Sequence, residues 1–309
     1  MTVEIEDERL TPLIDRGARL RRLWTGAEWA EGPVYVPAED CLYFSDIPND
    51  RVLRFSEAGG ASVALHPAGY ANGHTLDHAG RIISCEHGER RVSRREADGS
   101  VRVLADRYAG GRLNSPNDVV VKSDGTVWFT DPPYGIVSDR EGHKAESEQA
   151  GCFVFRHDPA DGSLTVVSDA LEDPNGLAFS PDESILYVSD TSAARREGGR
   201  HHLYAFDVAA GGRSLERPRV LAICEPGVFD GFRVDVAGNI WTSAGESVAV
   251  YAPDGTRLGR IPFPEVVSNC TFGGRSGTTL FVTATSSLYA LTVATTGATF
   301  APPGAGSPR

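Results

Sequence analysis

An all-β fold, a six-bladed β-propeller of four-stranded antiparallel blades with the ring closed by an N-terminal strand, is what the sequence predicts. Three observations lead to it. The first is a repeat, because six segments share one grammar: EGPVYVPAEDCLYFSD (31–46), NGHTLDHAGRIISCE (72–86), NDVVVKSDGTVWFTD (117–131), NGLAFSPDESILYVSD (175–190), DGFRVDVAGNIWTSA (230–244) and NCTFGGRSGTTLFVTA (269–284). The second is their spacing. The opening residues lie 41, 45, 58, 55 and 39 positions apart, and units of roughly 40–50 residues holding four short strands are propeller blades. The third is composition. With 34 glycines and 19 prolines in 309 residues, the chain is built for many turns rather than for long helices.

Each segment opens on Glu, Asn or Asp and runs through a short alternating stretch to a tight turn. The turns are Glu39-Asp40, Ala79-Gly80, Asp124-Gly125, Asp182-Glu183, Ala237-Gly238 and Ser276-Gly277. A β-branched and aromatic strand such as TVWFT or ILYVS follows, which makes a β-hairpin. Third-strand text comes next: RVLRFS (51–56), RRVSRRE (90–96), GCFVFRHD (151–158), HHLYAFDV (201–208), SVAVYAP (247–253) and SLYALTV (288–294). Fourth strands are readable as VRVLAD, LTVVSD, RVLAIC and RLGRIPF. The blades then span approximately 26–65, 66–107, 108–170, 171–224, 225–264 and 265–294, in one domain covering 1–309. The sixth unit lacks a fourth strand of its own, and residues 18–24 (ARLRRLW) are expected to supply it. Residues 295–309 read as a loose tail. Two polar, Gly-containing inserts, 132–150 and 191–200, read as loops between the second and third strands of blades three and four.

Composition excludes several function classes. Net charge is −12 with no basic stripe, so neither nucleic acid nor an anionic membrane is an expected partner. No apolar run is long enough to cross a bilayer, and the acidic start lacks the apolar stretch of a secretory signal. Five widely spaced cysteines without a CxxC imply neither a disulfide framework nor a structural zinc site. A cytoplasmic protein with buried thiols is expected, monomeric or weakly self-associating because a closed ring leaves no open sheet edge.

First strands of propeller blades line the central channel, so their opening residues form a ring: Glu31, Asn72, Asn117, Asn175, Asp230 and Asn269. One Asn or Asp at a turn entry is ordinary capping chemistry. Six in register point to a shared polar site. The set offers two carboxylates and several amide oxygens, with no Cys or His. Such a site suits one hard divalent cation, Ca²⁺ foremost, with Mg²⁺, Mn²⁺ or Zn²⁺ as alternatives. His74, two residues beyond Asn72, points the same way by strand alternation and either lines the pocket or packs as a satisfied core histidine. Tyr134 either covers the substrate or forms a simple turn. Asp131 and Asp190 end second strands and read as caps.

The texts EGPVY, LNSPNDVVVKSDGTVWFTDPPYG, DPNGLAFSPDE and FDGFRVD resemble the SMP-30/gluconolactonase/luciferin-regenerating-enzyme family over residues 20–294, and DPPYG is similar to bacterial gluconolactonases and drug-responsive lactonases. The resemblance implies a divalent metal held by Glu31, Asn175 and Asp230, with Asn117 as a further ligand or pocket residue. It implies Asp230 as the catalytic general base or nucleophile. It places Arg112 and Asn114 where substrate-binding residues lie in related proteins, although Ser115 and Pro116 lengthen this chain just after them. The implied reaction is metal-dependent hydrolysis of a small-molecule lactone, such as an aldonolactone, by an activated water on a polarised carbonyl. No GxSxG is present, which disfavours a covalent serine route. A phosphotriesterase-like hydrolase on the same site, or a non-catalytic ligand-binding propeller, is the alternative.

Overall fold

The computed structural model describes residues 2–15 and 17–299. Six four-stranded antiparallel sheets stand in a ring, each running from the channel outwards. Blade one is Ala30–Val36, Cys41–Asp46, Arg51–Ser56 and Gly60–Leu65; blade two is Ala71–Leu76, Ile82–Glu86, Arg91–Arg95 and Val101–Ala105. Blade three is Val119–Val121, Val127–Asp131, Phe153–Asp158 and Ser163–Ser168; blade four is Pro174–Phe179, Ile185–Asp190, His202–Val208 and Leu215–Ile223. Blade five holds Phe232–Val234, Ile240–Ser243, Ser247–Tyr251 and Arg257–Pro262, and blade six Val267–Gly273, Thr279–Ala284 and Ser287–Thr292. Blade six is completed by Arg21–Thr25 against Ser287–Ala290, so an N-terminal strand closes the ring as the count predicts.

Strand alternation explains the core. In blade one Tyr35, Phe44 and Phe55 face one way and pack with Phe281 and Leu288 of blade six. Val34, Tyr43 and Val52 face the other way and pack with Ala71 and Ile82 of blade two. A period of two therefore gives each blade two apolar faces, each buried against a different neighbour. The same arrangement recurs between blades two and three, three and four, four and five, and five and six.

Two terminal features differ from expectation. Glu4–Ile5 adds a fifth strand to the outer edge of blade five, and a 3-10 helix, Glu8–Leu13, buries Leu10 completely between blades five and six. The start of the tail is also not loose. Val236 N–H donates to Thr296 O (2.9 Å) and Ala298 N–H to Val234 O (2.8 Å), so residues 295–299 add backbone pairing to blade five. The rest of the expected tail, 300–309, lies outside the described residues. All five cysteines are free, and no helix among the described residues is long and apolar enough to cross a membrane.

Candidate active site

The ring residues sit where the inner strands begin. In four blades the ladder breaks at that point, with register shifts between Glu31 and Val34, Ala71 and His74, Pro174 and Leu177, and Val267 and Asn269. In the other two the regular strand starts at Val119 and Phe232, just after Asn117 and Asp230. Each irregularity frees one side chain from the alternation and turns it to the channel.

Glycine sets how tightly the ring closes. A Cβ on Gly32 would lie 1.9 Å from Asn72 O, one on Gly73 2.5 Å from Asn117 O, one on Gly176 2.4 Å from Asp230 O, and one on Gly231 2.0 Å from Asn269 Cγ. The residue after each of four ring positions thus rests directly on the ring residue of the next blade. Hydroxyls on second strands reinforce this. Ser45 donates to Asn72 O (2.8 Å), Thr130 to Asn175 O (2.7 Å) and Ser189 to Asp230 O (2.9 Å).

The six side chains divide by partner. Asn269 Nδ2 donates to Glu31 Oε2 (2.9 Å) and its Oδ1 accepts from Cys270 N–H (2.8 Å), so it is a strut for Glu31. Asn72 Nδ2 lies 3.3 Å from His87 Nε2, while His87 Nδ1 lies 3.1 Å from Glu141 O. Only one tautomer satisfies both contacts: Nδ1 donates to the carbonyl and Nε2 accepts from the amide. Burial pushes the His87 imidazolium down to a pKa of about 4, consistent with a neutral ring. Asn175 Nδ2 donates to Thr191 Oγ1 (3.2 Å) and hydrogen-bonds Asp230. The side-chain oxygens of Asn72 and Asn175 accept nothing among the described hydrogen bonds, and the side-chain amide of Asn117 makes none of them.

Three carboxylates share the channel. Burial and the Asp230 charge push the Glu31 carboxyl well above its usual range. Burial likewise raises Asp230, against its hydrogen bond from Asn175 and together with the Glu141 and Asp118 charges. Asp118, which stands where four other blades carry glycine, is raised by burial and opposed by Arg233, whose Nη1 lies 3.4 Å from Asp118 Oδ2. Arg233 therefore balances Asp118, and Glu31 and Asp230 face each other without a counter-charge. Two unbalanced carboxylates amid free amide oxygens match the donor set of a hard divalent cation. No group of three or more His, Cys, Asp and Glu side chains among the described residues offers an alternative centre. Glu31 and the amides are buried, whereas Asp230 stays partly open.

Other expected residues are placed differently. His74 is fully buried, with Nε2 2.9 Å from Ser45 Oγ and Nδ1 2.8 Å from Ser84 Oγ. Both nitrogens are spent on core hydroxyls, which corrects its assignment to substrate. Asn114 Nδ2 donates to Asp131 O (3.2 Å) and Gly151 O (3.0 Å), and its Oδ1 accepts from Ser147 Oγ (2.5 Å). It ties the insert to its blade and has no group left for a substrate. Arg112 stands on a small ribbon, Arg107–Tyr108 with Gly111–Arg112, and donates from Nη2 to Glu89 O (2.9 Å). Tyr134 does reach the site. Its hydroxyl bonds Thr191 Oγ1, beside Asn175, and it feels the Asp230 charge. Asp131 accepts from Asn114 N–H (2.8 Å) and Asp190 from Glu172 N–H (2.8 Å), as strand-end caps. His87, Thr191, Asp118, Arg233 and Glu141 are not signalled by the repeat.

A cleft of about 520 Å³ between blades three and four, lined by Cys152, Asp173, Arg195 and others, includes none of the ring residues. Arg195 is committed there to Asp173 (2.9 Å) and lies 5.9 Å from the Tyr134 ring centre.

Residues 29–286 match the model of a family described as SMP-30/gluconolactonase/LRE-like region. A gluconolactonase of Zymomonas mobilis is 32% identical over 94% of this chain and 85% of its own length. A pentonolactonase of Haloferax volcanii is 32% identical over 84% of this chain and 82% of its own. The solved structure of a Xanthomonas campestris gluconolactonase superimposes with a TM-score of 0.88 at 40% identity, covering 95% of both chains.

Proposed function

This chain belongs to the SMP-30/gluconolactonase/LRE-like family, and from that premise we propose that it hydrolyses sugar lactones at the ring. The observation that carries the reading is the Asp230 carboxylate, on a partly open residue, facing Glu31 without a counter-charge, amid free amide oxygens. Glu31, Asn117, Asn175 and Asp230 would hold one divalent cation. Its all-oxygen donor set favours Ca²⁺. Bound there, such an ion supplies Lewis acidity toward a carbonyl oxygen and lowers the pKa of nearby water.

The chain's own residues do the rest. Asp230 is pinned at its backbone, its N–H donating to Ser243 Oγ (2.8 Å) and its carbonyl accepting from Ser189 Oγ (2.9 Å). Its carboxylate takes the proton of the water that attacks the lactone carbonyl. The ring C–O bond then breaks, and the released alkoxide oxygen takes a proton to give a hydroxy acid. The side-chain oxygen of Asn72 and the side-chain nitrogen of Asn117 are left to orient the substrate. Tyr134 and Thr191 hold Asn175 in position.

The test is acid release from a panel of aldonolactones, with and without EDTA, by the native protein, Asp230→Ala and Glu31→Gln. The expected result is cation-dependent hydrolysis that falls about a thousandfold in Asp230→Ala and needs more cation in Glu31→Gln. No cation-dependent acid release from any lactone would sink the reading.

A further inference from the structure

The insert between the second and third strands of blade three bends back toward the ring and is held closely. It begins with a single helical turn, Tyr134–Val137. A Cβ on Gly135 would lie 2.5 Å from His87 Cβ, and one on Gly142 would lie 2.2 Å from Gly135 O. His143 N–H donates to Gly135 O (3.0 Å) and Ala145 N–H to Ile136 O (3.0 Å). Arg140 Nε donates to Glu28 Oε1 at the entry to blade one (3.0 Å), and His143 meets the Tyr70 ring edge-on at 5.2 Å.

This packing fixes Glu141. Its carbonyl sits on His87, one hydrogen bond from Asn72, and its carboxylate is 23% exposed and close enough for Asp230 to feel its charge. The remaining charges near it leave the mouth acidic. Arg233 is matched to Asp118, Arg195 to Asp173 (2.9 Å) and Arg51 to Asp46 (2.8 Å), while His87 is neutral. Arg140 is shared between Glu28 (3.0 Å) and Glu141 (3.2 Å). Glu148 is matched to Arg90 (3.3 Å), and over the rest of 132–150 Asp139, Glu141 and Glu146 outnumber Arg140 and Lys144. Once a divalent cation neutralises Glu31 and Asp230, the mouth still carries a surplus negative charge.

Lactone hydrolysis changes charge in one direction. A neutral lactone and a water become a hydroxy acid, which loses a proton and leaves as an anion. We propose that Glu141 is a specificity-determining residue that favours neutral over anionic lactones and repels the aldonate product. The inference rests on the lactonase reading above and adds to it the charge class of the substrate. Its physical basis is that a fixed, partly desolvated charge at a channel mouth acts on every ion that passes, and acts less as salt rises.

The experiment compares cation-loaded native protein, Glu141→Gln and Arg140→Gln on gluconolactone and 6-phosphogluconolactone, with gluconate as product inhibitor, at low and high ionic strength. In Glu141→Gln the anionic-to-neutral ratio of kcat/KM should rise about tenfold and the inhibition constant for gluconate should fall by a similar factor. Arg140→Gln should move both quantities the opposite way. High salt should shrink every difference. A purely structural role would change both lactones alike, and an unchanged ratio with an unchanged gluconate constant would overturn the proposal. Native protein that opens no lactone would instead defeat the lactonase reading. Calorimetric binding of gluconate to the three cation-loaded proteins would then still decide the role of the charge, equal affinities overturning it.

Discussion

Gly176→Ala is the most direct probe of how the ring holds Asp230, the proposed catalytic carboxylate. The added Cβ would lie 2.4 Å from Asp230 O, 3.0 Å from Gly231 Cα and 3.1 Å from Phe232 Cδ1. Backbone atoms cannot yield as a side-chain end would, so blade five must retreat from blade four by roughly 1 Å to restore ordinary contact. That retreat pulls Asp230 O from Ser189 Oγ, now at 2.9 Å, and moves its carboxylate off the water. A shift of about 1 Å in a catalytic group costs on the order of a hundredfold in rate, and the overpacking costs about 1–3 kcal/mol in stability. Gly125→Ala is the control. Gly125 has φ +84° in a hairpin turn with nothing within 4 Å of its would-be Cβ, so it should lose about 1 kcal/mol with no loss of turnover. Urea unfolding and cation-saturated kinetics measure both. If Gly176→Ala loses stability and keeps full kcat, the glycine does not set the position of Asp230.

Two further outcomes follow from buried side chains. His74 is held neutral, its pKa pushed down to about 4 by burial and then by Arg233, against 6.5 in the unfolded chain. A depressed histidine makes the unfolded state bind the extra proton, so stability is lost as pH falls below 6.5 and the loss is complete below 4. His74→Gln should be less stable than the native protein at pH 7.5, and that gap should narrow by about 2.5 kcal/mol by pH 4.5. Parallel stability curves in urea would show that His74 does not titrate this way. Thr191→Val keeps the shape but removes the hydroxyl between Asn175 and Tyr134. Cation affinity by calorimetry should weaken about tenfold, the loss of roughly one buried hydrogen bond; unchanged affinity would mean that Asn175 needs no such anchor.

The blades were legible in the sequence because alternation is a local property. YVPAEDCLYF declares two strands and a turn without any knowledge of the neighbouring blade. The ring was legible because it repeats: Glu31, Asn175 and Asp230 are conspicuous only as members of a set in register. What supports the ring was not legible. His87 lies in CEHGER, past the end of a strand, and acquires its place only when the insert brings Glu141 O to it. Asn114 and Arg112 have the chemistry of substrate ligands, but their donors go to Gly151, Asp131 and Glu89 once the chain has folded. His74 follows Asn72 by two residues, but the ladder breaks before it and its two nitrogens meet Ser45 and Ser84 in the core. Residues 295–299 pair through backbone alone, so no side-chain pattern announces them. In each case the deciding contact joins segments far apart in sequence.

The closing strand has a consequence for synthesis. Arg21–Thr25 leaves the ribosome well before its partner, Ser287–Ala290, which is made more than 260 positions later. Ala30 O likewise waits across 238 residues for the donor Ser268 Oγ (2.6 Å). Until then blade one presents Tyr35, Phe44 and Phe55 with no sixth blade to cover them. The nascent protein is therefore an open arc with an uncovered apolar face on blade one and an unpaired strand, Arg21–Thr25, which exposes it to association during translation. Glu31 also lacks its strut Asn269 in that arc, so the ring acquires its complete arrangement only when the last blade arrives.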